Sequence, residues 1–135
     1  MQLRNYIEIK ERQIKMCENK VFLNLKKWGC DVDGAMERFL EDEELYLSCL
    51  EMVLLDSNFE KLEIALKEEK IEAAFDAAHT LKGVFANLGL TPMLCLAEQM
   101  VEPLRRGVSE NLWEQYEALL STREQLKGIL EITIE

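Results

Sequence analysis

The sequence predicts an all-α protein folded as an up-and-down antiparallel bundle, and three observations carry that expectation. Leu, Glu, Lys and Ala dominate, with only 6 Gly and 2 Pro among 135 residues, a composition that favours helix throughout. Apolar residues recur at helical spacing almost everywhere, while short alternating β-branched runs between turn signals are absent. The segments are joined by a few residues each, which makes successive helices antiparallel neighbours. A chain of this length fits one domain whose core needs neither disulfide nor metal.

The first segment, residues 2–27, brings Ile7, Ile14, Val21 and Leu25 near one face, with Cys17-Glu18-Asn19-Lys20 as a candidate interruption. Trp28-Gly29 closes it, since glycine takes the left-handed conformation that ends helices. Asp31 or Asp33 is placed to cap a short helix through Ala35 to Leu40, and Asp42 to cap the next. There Leu45, Met52, Leu55, Phe59, Leu62 and Leu66 form one stripe, with Tyr46, Leu50 and Val53 beside it. A helix this broadly apolar is expected in the middle of a bundle, and Asp56-Ser57-Asn58 is where it kinks or restarts. A further helix runs from Ile71 to Leu88 and stops at Gly89. Thr91-Pro92 reads as an N-cap followed by proline at the first helical position. Met93, Leu96, Ala97, Met100 and Leu104 make the buried stripe there, and Pro103 should bend or end that helix. After Gly107 and Ser109, the last helix uses Leu112, Tyr116, Leu119, Leu126 and Leu130.

Charge and composition exclude several function classes. A formal net charge of −10 disfavours nucleic acid and anionic membrane, both of which demand basic surfaces. No run of about 18 apolar residues is present to cross a bilayer, and the N-terminus does not resemble a secretory signal. A soluble, cytoplasmic protein is the expectation. Cys17, Cys30, Cys49 and Cys95 are far apart without a CxxC pair. Three lie among apolar neighbours and read as buried, reduced thiols rather than disulfide or zinc partners. No Gly-rich phosphate loop, nucleotide motif or Ser/His/Asp arrangement is visible.

The single histidine is the informative residue. On a wheel of 100° steps, Ala74, Ala77, Ala78, Leu81, Val84, Phe85 and Leu88 gather on one side, and His79 points away from them. Phe75, Asp76, Lys82, Gly83 and Ala86 surround it at spacings of three, four and seven residues. Glycine inside a helix costs about 1 kcal/mol against alanine, and close approach of a partner to the imidazole is a compensating reason. Phe75, taken as exposed, offers apolar docking area, and Lys82 a charge to meet a phosphoryl group. A neutral imidazole is a good nucleophile near pH 7 and can attack an acyl phosphate in line and later return the phosphoryl group. Asp76-x-x-His79 resembles half of a carboxylate-bridged metal site, but one outward histidine cannot complete such a site.

Ala78-His79-Thr80-Leu81-Lys82-Gly83, followed by Asn87-Leu88-Gly89, resembles the phosphoacceptor motif of histidine-phosphotransfer (HPt) domains. Glu37-Arg38-Phe39 and Asp42-Glu43-Glu44-Leu45-Tyr46 upstream, and Leu94-Cys95-Leu96-Ala97-Glu98 downstream, add to the likeness, which covers Gly29 to Gly107 well. The resemblance implies a four-helix bundle, here the up-and-down antiparallel bundle of residues 29–135; residues 1–28 extend beyond what the module needs and are expected to be an additional N-terminal helix for packing or dimerisation. It implies His79 as phosphoacceptor, Lys82 as the cation beside the phosphate and Gly83 as the close-approach position. Receiver domains of response regulators are the implied partners, with a hybrid histidine kinase as a further candidate. No cofactor is expected on this chain, Mg²⁺ being expected in the receiver. The chain is then a phosphoryl carrier and not an enzyme. Its rivals are a non-catalytic helical adaptor and the phosphoacceptor segment of a larger histidine kinase. The start at Met1 and the end after one bundle favour a free-standing module.

Overall fold

The computed structural model describes residues 3–131, which form seven helices and no strand. They are α1 (Leu3–Trp28), α2 (Val32–Arg38), α3 (Glu43–Val53), α4 (Asn58–Lys67), α5 (Ile71–Asn87), α6 (Thr91–Arg105) and α7 (Trp113–Leu130). Local chemistry accounts for most of the boundaries. The Asp31 carboxylate accepts the Gly34 amide at 3.1 Å to cap α2, and Asp42 accepts the Leu45 amide at 3.1 Å to cap α3. Gly29, Gly89 and Gly107 end α1, α5 and α6 with φ of 106°, 67° and 80°. α1 runs unbroken through residues 17–20.

Helices α4 to α7 close into a four-helix ring. α5 packs on both α4 and α6, and α6 on α7. Two contacts join α7 back to α4: the Tyr116 hydroxyl donates to the Phe59 carbonyl at 3.0 Å, and the Arg123 guanidinium lies 4.7 Å over the Phe59 ring. Phe59 at the start of α4 meets Phe85 near the end of α5, with ring centroids 6.2 Å apart, so neighbours run antiparallel. The fold is therefore an all-α, up-and-down bundle. The second half of α1 adds Val21 and Leu25 to the same core, and the Trp28 indole donates to Gln125 of α7 at 3.2 Å. Ile7 on the first half is exposed, while the side chains of Ile14 and Cys17 lie outside those described.

The structure departs from the sequence expectation in several places. The stripe drawn through Leu45, Met52 and Leu55 is not buried, these residues being 49%, 67% and 86% exposed. Tyr46, Leu50 and Val53 are buried instead, then Phe59 and Leu62. The break at residues 54–57 separates α3 from α4 and resets the helical phase, so one wheel cannot describe both. α5 packs against α4 and α6, whereas α3 lies outside the four-helix ring. Capping of α6 falls to Leu90 without a side-chain bond, Thr91 being the first helical residue. Pro103 lies inside α6, which continues to Arg105; near the C-terminus the missing N–H forfeits one bond only. Val101 is buried there and Leu96 only partly. Among the described cysteines only Cys30 is buried, its thiol pushed up to about 12 by desolvation, while Cys49 is half-buried and Cys95 exposed.

The C-terminus of α5 is held from three directions. Arg38 donates to the Asn87 carbonyl at 2.9 Å and to the Ala86 carbonyl at 3.0 Å. Tyr46 donates its hydroxyl to the Leu88 carbonyl at 2.9 Å. Carbonyls left without an intrahelical partner thus gain donors, one of them cationic, where the helix dipole is negative. Gly89 then passes close to the α2 cap: its carbonyl accepts the Asp31 amide at 2.8 Å, and a Cβ at Gly89 would collide with the Asp31 carbonyl. Burial raises the Tyr46 pKa well above the ordinary phenol value, so the hydroxyl stays a donor at neutral pH. Tyr46→Phe leaves the Leu88 carbonyl buried without that donor and should lower the unfolding free energy by about 1–3 kcal/mol, measured by urea denaturation. An unchanged midpoint would show that the bond contributes nothing net.

Candidate functional site

The site is the outer face of α5, and the reason it exists is the split character of that helix. Ala74, Ala77, Ala78, Leu81 and Phe85 are buried, which fixes the rotation of the helix about its axis. His79 is then forced outward and is exposed, as are Asp76, Gly83 and Ala86. Val84, placed in the core by the wheel, is only half-buried because it borders the gap left by the α3–α4 break, beside Met52 and Leu55. With its inner face packed and its C-terminus held by Arg38 and Tyr46, α5 presents the histidine on a rigid element.

The surroundings of His79 are small on one side and aromatic on the other. A Cβ at Gly83 would meet nothing within 4 Å, so glycine there is not required by packing within this chain. Ala86 adds only a methyl group on the same face. Lys82, one turn beyond His79, is half-buried and makes no ion pair among the described residues. Asp76 uses its backbone carbonyl to accept the Thr80 hydroxyl at 2.8 Å, leaving its carboxylate to solvent. A groove between α4 and α5, bordered by Asp76, Thr80, Lys61 and Lys70, flanks this side of the face.

Phe75 differs from its expected exposure. It is half-buried against the core, and its ring stacks on the imidazole, with centroids 5.4 Å apart and planes 8° from parallel. From α6, Arg105, in its last turn, places its guanidinium 5.3 Å from the Phe75 ring centroid. Arg105 also pairs with Glu102 at 3.6 Å. Sequence reasoning missed Arg105, because its approach depends on how α6 crosses α5. It also missed Arg38 and Tyr46 as caps of α5, although both lie in the stretches that carry the family likeness. Among the described residues no three His, Cys, Asp or Glu side chains come together as a metal set, and no helix is long and apolar enough to cross a membrane.

This arrangement offers an accessible nitrogen nucleophile, a neighbouring ammonium and an unobstructed approach on a stiff helix. Phosphoryl transfer depends mainly on positioning and charge stabilisation, so the set is chemically adequate for receiving a phosphoryl group from a partner. Searches among curated proteins and among solved structures return no match. The family model of the Hpt domain does match, over residues 50–131, a span that takes in the end of α3, all of α4 to α7 and the whole His79 face. With the helical bundle and this match together, the chain belongs to the Hpt domain family, which serves phosphotransfer in two-component signalling.

Proposed function

We propose that this protein relays a phosphoryl group between receiver domains through a phosphohistidine at His79. The observation that carries the reading is an exposed imidazole in mid-helix, opposite a fully packed face, with Gly83 and Ala86 leaving the approach clear. The imidazole nitrogen attacks the phosphorus of a receiver's aspartyl phosphate. A N–P bond forms as the acyl O–P bond breaks, the carboxylate stays with the receiver, and the second ring nitrogen releases its proton to solvent. The return step reverses this toward a second receiver. Mg²⁺ belongs to the receiver in this scheme and no cofactor to the chain. ATP enters only through an upstream kinase, a hybrid histidine kinase being one source, and the setting is cytoplasmic.

Lys82 is the residue assigned to the phosphoryl oxygens, its ammonium sharing a face with His79 at a spacing of three residues. Lys82→Ala should slow receiver-to-His79 transfer about tenfold, the scale of one charge-assisted hydrogen bond to a phosphoryl oxygen. Equal transfer rates and equal phosphohistidine lifetimes in rapid-quench experiments would remove Lys82 from the site. Asp76, Ala86 and the edge of Phe75 are the residues assigned to receiver docking.

The test is transfer from a panel of phosphorylated receiver domains to the intact chain. Acid-labile, base-stable label on the protein supports the relay and begins to identify its partner. Absence of label from every receiver would turn the assignment toward a non-covalent adaptor, or toward a segment charged only by its own kinase.

A further inference from the structure

We infer that Phe75 is a positioning residue for His79, holding the imidazole plane by stacking, and that Arg105 braces Phe75 from α6. The inference rests on His79 being the phosphoacceptor and adds to it the means by which the nucleophile is oriented. Phe75 is the shared neighbour of two side chains: the Arg105 guanidinium lies 5.3 Å from its centroid, and the imidazole centroid lies 5.4 Å away at 8°. Near-parallel planes at that centroid separation describe an offset stack, the arrangement aromatic rings favour. A guanidinium over the same ring adds cation–π attraction.

The stack matters because no hydrogen bond among the described residues holds the ring. The hydrogen bonds among the described residues include none to the imidazole. A free surface histidine samples several χ1 wells and a broad χ2, so the direction of its nitrogen lone pair varies. A hydrogen bond to a ring nitrogen would restrain the ring but occupy a nitrogen. Stacking restrains it through the face, and the nucleophilic lone pair lies in the ring plane, so it stays available. Phe75 itself is fixed by partial burial against the core, and Arg105 by its ion pair with Glu102 at 3.6 Å. The site therefore spans α5 and α6, and the orientation of the nucleophile depends on a residue 26 positions downstream in the sequence.

The test separates orientation from docking by charging the protein with phosphoramidate, a small donor that needs no receiver surface. Its P–N bond breaks and ammonia leaves as the imidazole N–P bond forms, the other ring nitrogen releasing a proton. Phe75→Leu keeps the apolar volume against the core but removes the stack, while Phe75→Tyr keeps the ring. Charging of Phe75→Leu followed by ³¹P NMR should be about two- to tenfold slower than wild type, the factor associated with freezing one side chain, and Phe75→Tyr should restore it. Because the chain has 1 histidine, its ring proton resonances are unambiguous. They should lose their ring-current displacement in Phe75→Leu and keep it in Phe75→Tyr. Arg105→Ala should reduce both signals partially, and no change in either would remove the brace. Phosphoramidate charging of Phe75→Leu at the wild-type rate, with only receiver transfer impaired, would overturn the positioning role and leave Phe75 as a docking residue. That failure is distinct from failure of the relay reading, in which wild type itself takes no label from any receiver.

Discussion

His79→Gln should keep the fold and lose phosphoryl uptake altogether. The residue is exposed on a helix whose opposite face supplies the packing, and glutamine is at least as good a helix former as histidine. The stability change should therefore stay within about 0.5 kcal/mol, as for surface substitutions generally, with the Phe75 stack removed. The chemistry is different. A carboxamide nitrogen has its lone pair delocalised into the carbonyl and cannot attack phosphorus, so transfer from a phosphorylated receiver should fall by at least about 10³-fold, as when a nucleophile is deleted. Circular dichroism and thermal melting serve as the fold control, and quenched transfer assays read the loss. Label on the variant at the wild-type rate would move the acceptor to another residue and undo the assignment.

Gly83→Glu should uncouple stability from transfer. A Cβ at this position meets nothing within 4 Å, and the residue is in a regular part of α5 rather than at a positive-φ turn. Replacing a mid-helix glycine should then raise stability by about 0.5–1 kcal/mol. On the proposed relay, the longer side chain occupies the space through which a receiver would reach the imidazole, and its charge would oppose the phosphoryl group. Receiver-to-His79 transfer should fall by about 100-fold or more, the order of loss that accompanies misplacement of reacting groups by about 1 Å. Gly83→Gln separates the two causes: a similar fall indicates blocked approach, a much smaller one charge repulsion. A Gly83→Glu protein that melts higher yet transfers normally would refute the access argument while leaving His79 untouched.

The parts of this protein legible in the sequence are those controlled within one helix or one cap. Asp42 before α3, Gly29 and Gly89 after their helices, and the outward direction of His79 all follow from local backbone rules and the 3.6-residue repeat. The small residues beside His79 were legible for the same reason, since α5 is continuous from Ile71 to Asn87. The periodicity failed across residues 54–57, where a short non-helical step rotates α4 against α3 and turns Leu45, Met52 and Leu55 outward. No local pattern records the size of that rotation. Likewise Arg105 reaches Phe75, and Arg38 and Tyr46 cap α5, through contacts between residues on different helices and 30 or more positions apart. The sequence by itself determined an all-helical chain and a histidine facing outward on the helix that starts at Ile71, because side-chain direction along a helix is set by its own geometry. Tertiary structure alone decided which side chains stack on that histidine and hold its helix in place, because the crossing of separate helices is set by the packing of the whole core.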